Sequence, residues 1–255
     1  MNIKSPSTIY FLSFLIMLSI FLMVFLLNII YKLPSRITRK IIHILTGPIF
    51  ILTWKLYPEG NYGNVCSTLP FLASSLFLYL YIFKNYKLSK IMKNILSRSG
   101  NSIEIIEGPF FYGILIGILT SIFYNYHPIG IITIIILSFG DGLADVFGSN
   151  FNSFILPSPF GKKTCLGCFS FVFFSFFFST LYCFLFFKSF YLLNCLFLAF
   201  LGCGIEFFSP SKYDNITIVL GVSFFGYKLL KWWLYYIITY LKIFFLNVNM
   251  KLNGM

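Results

Sequence analysis

The stretch Ile129-Gly130-Ile131-Ile132-Thr133-Ile134-Ile135-Ile136-Leu137-Ser138-Phe139-Gly140-Asp141-Gly142-Leu143-Ala144-Asp145-Val146-Phe147-Gly148 decides how this chain is read. A nearly unbroken apolar run of this length reads as a helix crossing about 30 Å of hydrocarbon, and it ends on two carboxylates. A carboxylate at membrane depth is costly unless it is paired, metal-bound or turned to water, so Asp141 and Asp145 mark a functional site. Spaced four apart, they stack on one helix face, while Gly140, Gly142, Ala144 and Gly148 keep the surroundings small. Hard oxygens with close backbone access suit Mg²⁺ shared between protein carboxylates and nucleotide phosphates. Scarcity adds weight, because only seven Asp and Glu occur in 255 residues.

Composition points the same way. The chain is 58% hydrophobic and 22% aromatic with a mean hydropathy of +0.87, far above a soluble domain. It reads as an all-α, polytopic integral membrane protein with about seven to nine transmembrane helices. Apolar runs place spans at 9–31, 41–57, 65–83, 109–125, 129–147, 166–187 and 190–208, with a last apolar region, 216–246, interrupted by Lys228 and Lys231. Residues 1–255 form a single membrane domain in this reading, with its core at 35–220. The first run is too long for a signal h-region, lacks an obvious small-residue cleavage site and runs into a basic loop, so it reads as a retained span.

A net charge of +12 suggests nucleic-acid binding in a soluble protein; in a membrane protein it reports orientation and attraction to anionic lipid or phosphate. No nucleic-acid partner is expected. One set of loops collects Lys32, Arg36, Arg39 and Lys40, then Lys84, Lys87, Lys90, Lys93 and Arg98, then Lys162 and Lys163, then Lys212, against Lys4, Lys55 and Lys188 on the other side. The basic loops are thereby assigned to the cytosol, or to the stroma of a plastid. The scarce acids and their neighbours fall on that same face. The six Cys lie mostly in apolar runs as small hydrophobes, without zinc-site spacing, and disulfides are not implied.

The loop Phe160-Gly161-Lys162-Lys163-Thr164-Cys165-Leu166-Gly167-Cys168 sets Gly, Lys and Thr at a helix entrance, where backbone N–H groups, a cation and a hydroxyl can meet a phosphate. A plain basic anchor has the same pattern, and the Walker A spacing is absent. Arg39-Lys40-Ile41-Ile42-His43 puts cation and imidazole one turn apart, as an anion site or as an inside anchor beside an interhelical His. Glu107 precedes Pro109, in a helical first turn where the dipole favours it. Glu206 follows a long apolar stretch and requires a partner or a function. Asp214-Asn215 opens the last apolar region, as an N-cap or as a second acid cluster with Glu206.

Taken in order, Arg39-Lys40-x-x-His43 with Gly47, Glu107-Gly108-Pro109 with Tyr112, Gly140-Asp141-Gly142-x-Ala144-Asp145-x-x-Gly148, Lys163-Thr164-x-x-Gly167, and Glu206 with Asp214-Asn215 give the chain its family likeness. It resembles the phytol, farnesol and dolichol kinase family of membrane prenol kinases, which shares motifs with phosphatidate cytidylyltransferases. Two positions depart from the family pattern: Cys168 replaces a hydroxyl residue, and Ser149-Asn150 replaces a more basic pair. The resemblance implies transfer of the γ-phosphoryl group of a nucleoside triphosphate, often CTP, to an isoprenoid alcohol such as farnesol, geranylgeraniol, phytol or a longer polyprenol. It implies Mg²⁺ as cofactor and the endoplasmic reticulum or a plastid as host membrane. By the same resemblance, Asp141, Asp145, Glu206 and His43 are the catalytic group and Asp141, Asp145 and Asp214 hold the metal. Arg39, Lys40, Lys162, Lys163, Thr164, Gly167, Gly140 and Gly142 meet phosphate, and Glu107 and Asn215 complete the motifs. The partners are these substrates and the bilayer; oligomeric state is not encoded in the motifs.

Two rivals use the same residues. A cytidylyltransferase would release pyrophosphate and form a CDP-lipid. An ion or metal transporter would place its acids near the midplane with an internal repeat, and no repeat is apparent.

Overall fold

The computed structural model describes residues 5–83, 87–97, 101 and 103–230. In chain order the helices are α1 (Pro6–Tyr31), α2 (Ser35–Thr53), α3 (Gly63–Ile82), α4 (Lys87–Leu96), α5 (Phe111–Phe123), α6 (Pro128–Ile135), α7 (Gly142–Asn150), α8 (Cys165–Phe187) and α9 (Leu192–Phe207). Residues 214–230 continue as a further helix, α10. Two wide π turns, Ile106–Phe110 and Ile136–Asp141, extend α5 backwards and join α6 to α7, making continuous helices Ile106–Phe123 and Pro128–Asn150.

Five helices among the described residues are long and apolar enough to cross a membrane: Pro6–Tyr31, Gly63–Ile82, Ile106–Phe123, Pro128–Asn150 and Cys165–Phe187. The chain is an all-α polytopic membrane protein. Leu192–Phe207 is apolar but shorter. The span expected at 41–57 starts instead at Ser35, because α2 runs through its own basic residues, and it gives way to a 3₁₀ turn at Trp54–Leu56. Lys4, Lys84, Arg98, Lys231 and the 231–246 part of the last apolar region lie outside the described residues.

The quoted apolar run is the centre of the molecule. Ile129, Ile131, Ile132, Ile134 and Ile135 are all 0% exposed, since α2, α5 and α8 surround α6. A helix apolar on every face is one with neighbours on every side, so Ile without a stripe is the appropriate sequence here. Between helices in lipid, close packing takes over from the hydrophobic effect, and small residues set the approach. At Gly113 a Cβ would lie 3.0 Å from the Pro70 carbonyl oxygen of α3. There the Ser74 hydroxyl also donates to the Phe110 carbonyl at 3.2 Å.

Two elements were not anticipated. The basic loop after α3 contains α4, which buries Ile95 and Leu96 and is tied to α2 by Thr38 Oγ1 donating to the Ile95 carbonyl at 2.8 Å. Between α7 and α8 lies an antiparallel hairpin of β1 (Ile155–Ser158) and β2 (Gly161–Thr164), pairing Ile155 with Thr164.

Gly113→Val should lower the thermal unfolding midpoint in detergent, with an overpacking cost of about 1–3 kcal/mol. Gly204→Val, where a Cβ meets nothing within 4 Å, should leave it nearly unchanged.

Candidate active site

Basic residues spaced three and four apart put Arg36, Arg39, Lys40 and His43 on one side of α2, and that side meets the acids of the central helix. Lys40 Nζ lies 3.2 Å from Asp141 Oδ2 and 3.6 Å from Asp145 Oδ2, while Arg36 donates to Asp145 Oδ1 at 2.8 Å. The Lys40 and Asp141 side chains are each only 9% exposed, so neither charge has bulk water as an alternative partner. His43 Nε2 is 2.9 Å from the Leu137 carbonyl oxygen and 3.3 Å from Asp141 Oδ2. Both are acceptors, so Nε2 carries the hydrogen and holds the Asp141 carboxylate. Proton acceptance by His43 is left to Nδ1. The imidazole also lies against the Tyr112 ring at 4.2 Å, whose hydroxyl donates to the His43 carbonyl at 2.8 Å.

Asp141 and Glu107 each sit in one of the two π turns. Such turns are uncommon and recur at functional sites. Gly140 and Gly142, expected beside phosphate, face neighbouring helices instead. A Cβ on Gly140 would meet Ser175 and Phe171 of α8, and one on Gly142 would meet Ile44 and His43 of α2. They set helix spacing, and neither lines the cavity described below.

The hairpin brings Lys163 to Glu206, and the two form a direct ion pair and hydrogen bond. Burial works against the Lys163 ammonium, but the Glu206 carboxylate raises its pKa above the ordinary lysine value. Glu206 thus has the partner that its apolar setting required. The expected phosphate contact through backbone N–H groups at the α8 entrance is corrected by the structure. Cys165 N–H donates to the Phe154 carbonyl at 2.8 Å, Leu166 N–H to Ser153 Oγ at 3.2 Å and Gly167 N–H to Thr164 Oγ1 at 3.1 Å. Thr164 is therefore a helix cap, and the Lys162 and Lys163 ammoniums remain as the anion-facing groups of this loop.

Lys212, in the loop before α10, pairs with Glu107 at 2.7 Å. Asp214 Oδ1 accepts from the Asn215 N–H at 2.7 Å. Burial and then the neighbouring Asp141 carboxylate push Asp214, which lies outside the five spans, up to about 7. Asn215 Oδ1 is buried without a hydrogen-bond partner.

One cavity of about 770 Å³ collects these groups: Arg39, Lys40, His43, Glu107, Asp141, Asp145, Lys162, Lys163, Thr164, Gly167, Glu206, Asp214 and Asn215. Glu104 joins them, so of the seven acids in the chain only Glu59 lies elsewhere. Arg36 and Lys212 also line the cavity, although the motifs gave neither a role. Arg36 was legible as the residue one turn before Lys40, whereas nothing local to Lys212 announces Glu107.

No three His, Cys, Asp or Glu side chains among the described residues form a ready metal cage. The donor set on the cavity wall, Asp141, Asp145 and Asp214 with the unpartnered Asn215 oxygen, fits a hard cation that takes its other ligands from phosphate and water.

This constellation has counterparts in known proteins. The chain is 36% identical over 132 residues to a "Probable phytol kinase 2, chloroplastic" of Oryza sativa subsp. japonica, covering 48% of this chain and 40% of that protein. It is 29% identical over 148 residues to "Phytol kinase 1, chloroplastic" of Arabidopsis thaliana, covering 58% and 48%. To "Farnesol kinase, chloroplastic" of the same plant it is 32% identical over 126 residues, covering 48% and 40%. The chain is a homologue of the phytol and farnesol kinases. The chain spans less than half the length of these relatives. No protein-family model and no solved structure matches it.

Lys40→Met should leave Asp141 buried without its ammonium and lower stability by about 3–5 kcal/mol, read as a fall in the unfolding midpoint. Adding Asp141→Asn should restore most of that loss.

Proposed function

We propose that this chain is a membrane kinase that transfers the γ-phosphoryl group of a nucleoside triphosphate to the hydroxyl of an isoprenoid alcohol of the phytol or farnesol class. The observation that carries this reading is the composition of that cavity. Six of the chain's seven acids, together with Arg39, Lys40, Lys162 and Lys163, line the same space as Phe14, Phe50, Leu69 and Ile116. Such a space suits two substrates that meet within it, a nucleotide with its phosphates at the charged end and an alcohol with its hydrocarbon along the apolar wall.

The division of labour follows from the contacts. Lys162, Lys163, Arg39 and Lys40 meet nucleotide phosphates, and Glu206 holds Lys163 in place. His43, through Nε2–H, fixes the Asp141 carboxylate. The alcohol hydroxyl arrives where the apolar wall meets the charged one, in line with the terminal phosphate, so that positioning and charge neutralisation supply the catalysis. Asp141, Asp145 and Asp214 would hold Mg²⁺, which neutralises charge on the transferring phosphoryl group when bound. CTP is the donor favoured by the family resemblance. The relatives' names and the basic loops support a plastid membrane with the site facing the stroma.

Purified protein in lipid nanodiscs, given Mg²⁺, labelled nucleotides and a panel of prenols, should yield prenyl phosphate and nucleoside diphosphate. CDP-lipid and pyrophosphate would instead make the chain a cytidylyltransferase. Asp141→Asn should lower turnover on the order of a thousandfold while the protein still inserts, since losing a charge eases insertion. Chelation by EDTA should abolish activity and added Mg²⁺ should restore it.

A further inference from the structure

We propose that the hydrocarbon chain of the alcohol enters and leaves the cavity sideways, through a window between α1 and α3 whose lips are Leu18, Leu72 and Leu76. The inference rests on the prenol kinase reading and adds to it a route and a length rule. Away from the charged groups the cavity runs into the helix bundle, where its deep wall is Phe14, Phe50, Leu69 and Ile116, one residue from each of α1, α2, α3 and α5. From His43 to Phe50 this apolar arm runs about 10 Å along α2.

On its bilayer side the arm is framed. At one end Tyr10 on α1 shares a hydrogen bond with Thr68 on α3 at 2.8 Å; at the other, the Phe21 and Phe77 rings meet with centroids 6.1 Å apart. The two contacts stand roughly 15 Å apart along the helices. Between them Leu18, Leu72 and Leu76 line the cavity and are 40%, 58% and 49% exposed. Large apolar side chains this exposed, on two helices long enough to span a membrane and bordering the cavity between two framing contacts, place its opening toward hydrocarbon. The occupant is argued from continuity: the apolar arm and the charged groups at Asp141 and Lys163 line one cavity, so a chain whose hydroxyl lies at those groups has the arm open to it. A C10 chain is short enough to be housed largely within the arm. A C20 chain is longer than the arm and leaves through the window into the bilayer, so chain length beyond the window is read by lipid and not by protein.

The test is the ratio of kcat/KM for a C20 prenol to that for a C10 prenol, measured in nanodiscs for wild type and for Leu18→Trp/Leu72→Trp. The window predicts that this ratio falls on the order of tenfold in the variant. An unchanged ratio in an active variant overturns it. Should the variant fold poorly, wild type photolabelled with a C20 prenol bearing a terminal diazirine decides: label on α1 and α3 peptides supports the window, and label confined to other helices overturns it. A wild type that phosphorylates no alcohol overturns the kinase reading itself, an outcome separate from a failure of the window alone.

Discussion

A charge inside hydrocarbon must find its opposite, and the architecture around the site follows from that need. Asp141 and Asp145 cannot remain at the end of the central helix without cations, and the cations come from α2, where Lys40 reaches both carboxylates and Arg36 takes the second. This fixes α2 against α7. The same rule seats the hairpin, whose Lys163 answers Glu206 on α9, and the loop before α10, whose Lys212 answers Glu107. Three separate ion-paired contacts thus enclose one cavity.

What holds the charges at that depth is the apolar centre. The Ile-rich run from Pro128 to Ile135 has no polar face because it has no exposed face, and the surrounding helices take their positions from it. The same helices leave a space between α1, α2, α3 and α5 lined by Phe and Leu. Charged and apolar side chains thereby line one continuous space, the kind of concave site that a few polar groups orient and apolar walls enclose.

Much of this was legible in the chain before any coordinates. Hydropathy located the long helices within a few residues, because uninterrupted apolar length is a direct signature of a span. Scarcity located the acids, since seven carboxylates in so apolar a chain are each hard to accommodate without purpose. Where the reading erred, a local pattern had two physical meanings. Lys87, Lys90 and Lys93 read as loop charge, although their three-residue spacing leaves the opposite face of a helix apolar, and that face is buried in α4 as Ile95 and Leu96. Thr164 and the N–H groups after it looked like a phosphate cradle, but Ser153 and Phe154 from the preceding strand approach already satisfy them. Gly140 and Gly142 looked like open backbone and proved to be points of helix contact. The pairings of Glu107 with Lys212 and Glu206 with Lys163 are tertiary, and no spacing along the chain encodes them.

The π turn from Ile136 to Asp141 bears on what this protein can tolerate over evolutionary time. A wide turn carries one residue more than the ordinary helix it interrupts, and each residue advances the helix by about 100°. Losing that residue would not perturb the centre of α6, which is apolar on all sides, but it would rotate Asp141, Asp145 and everything up to Asn150 by more than a quarter turn, aiming both carboxylates away from Lys40. Substitutions along this helix therefore trade one contact for another, whereas a one-residue gap moves the whole acidic face to the wrong side of the bundle.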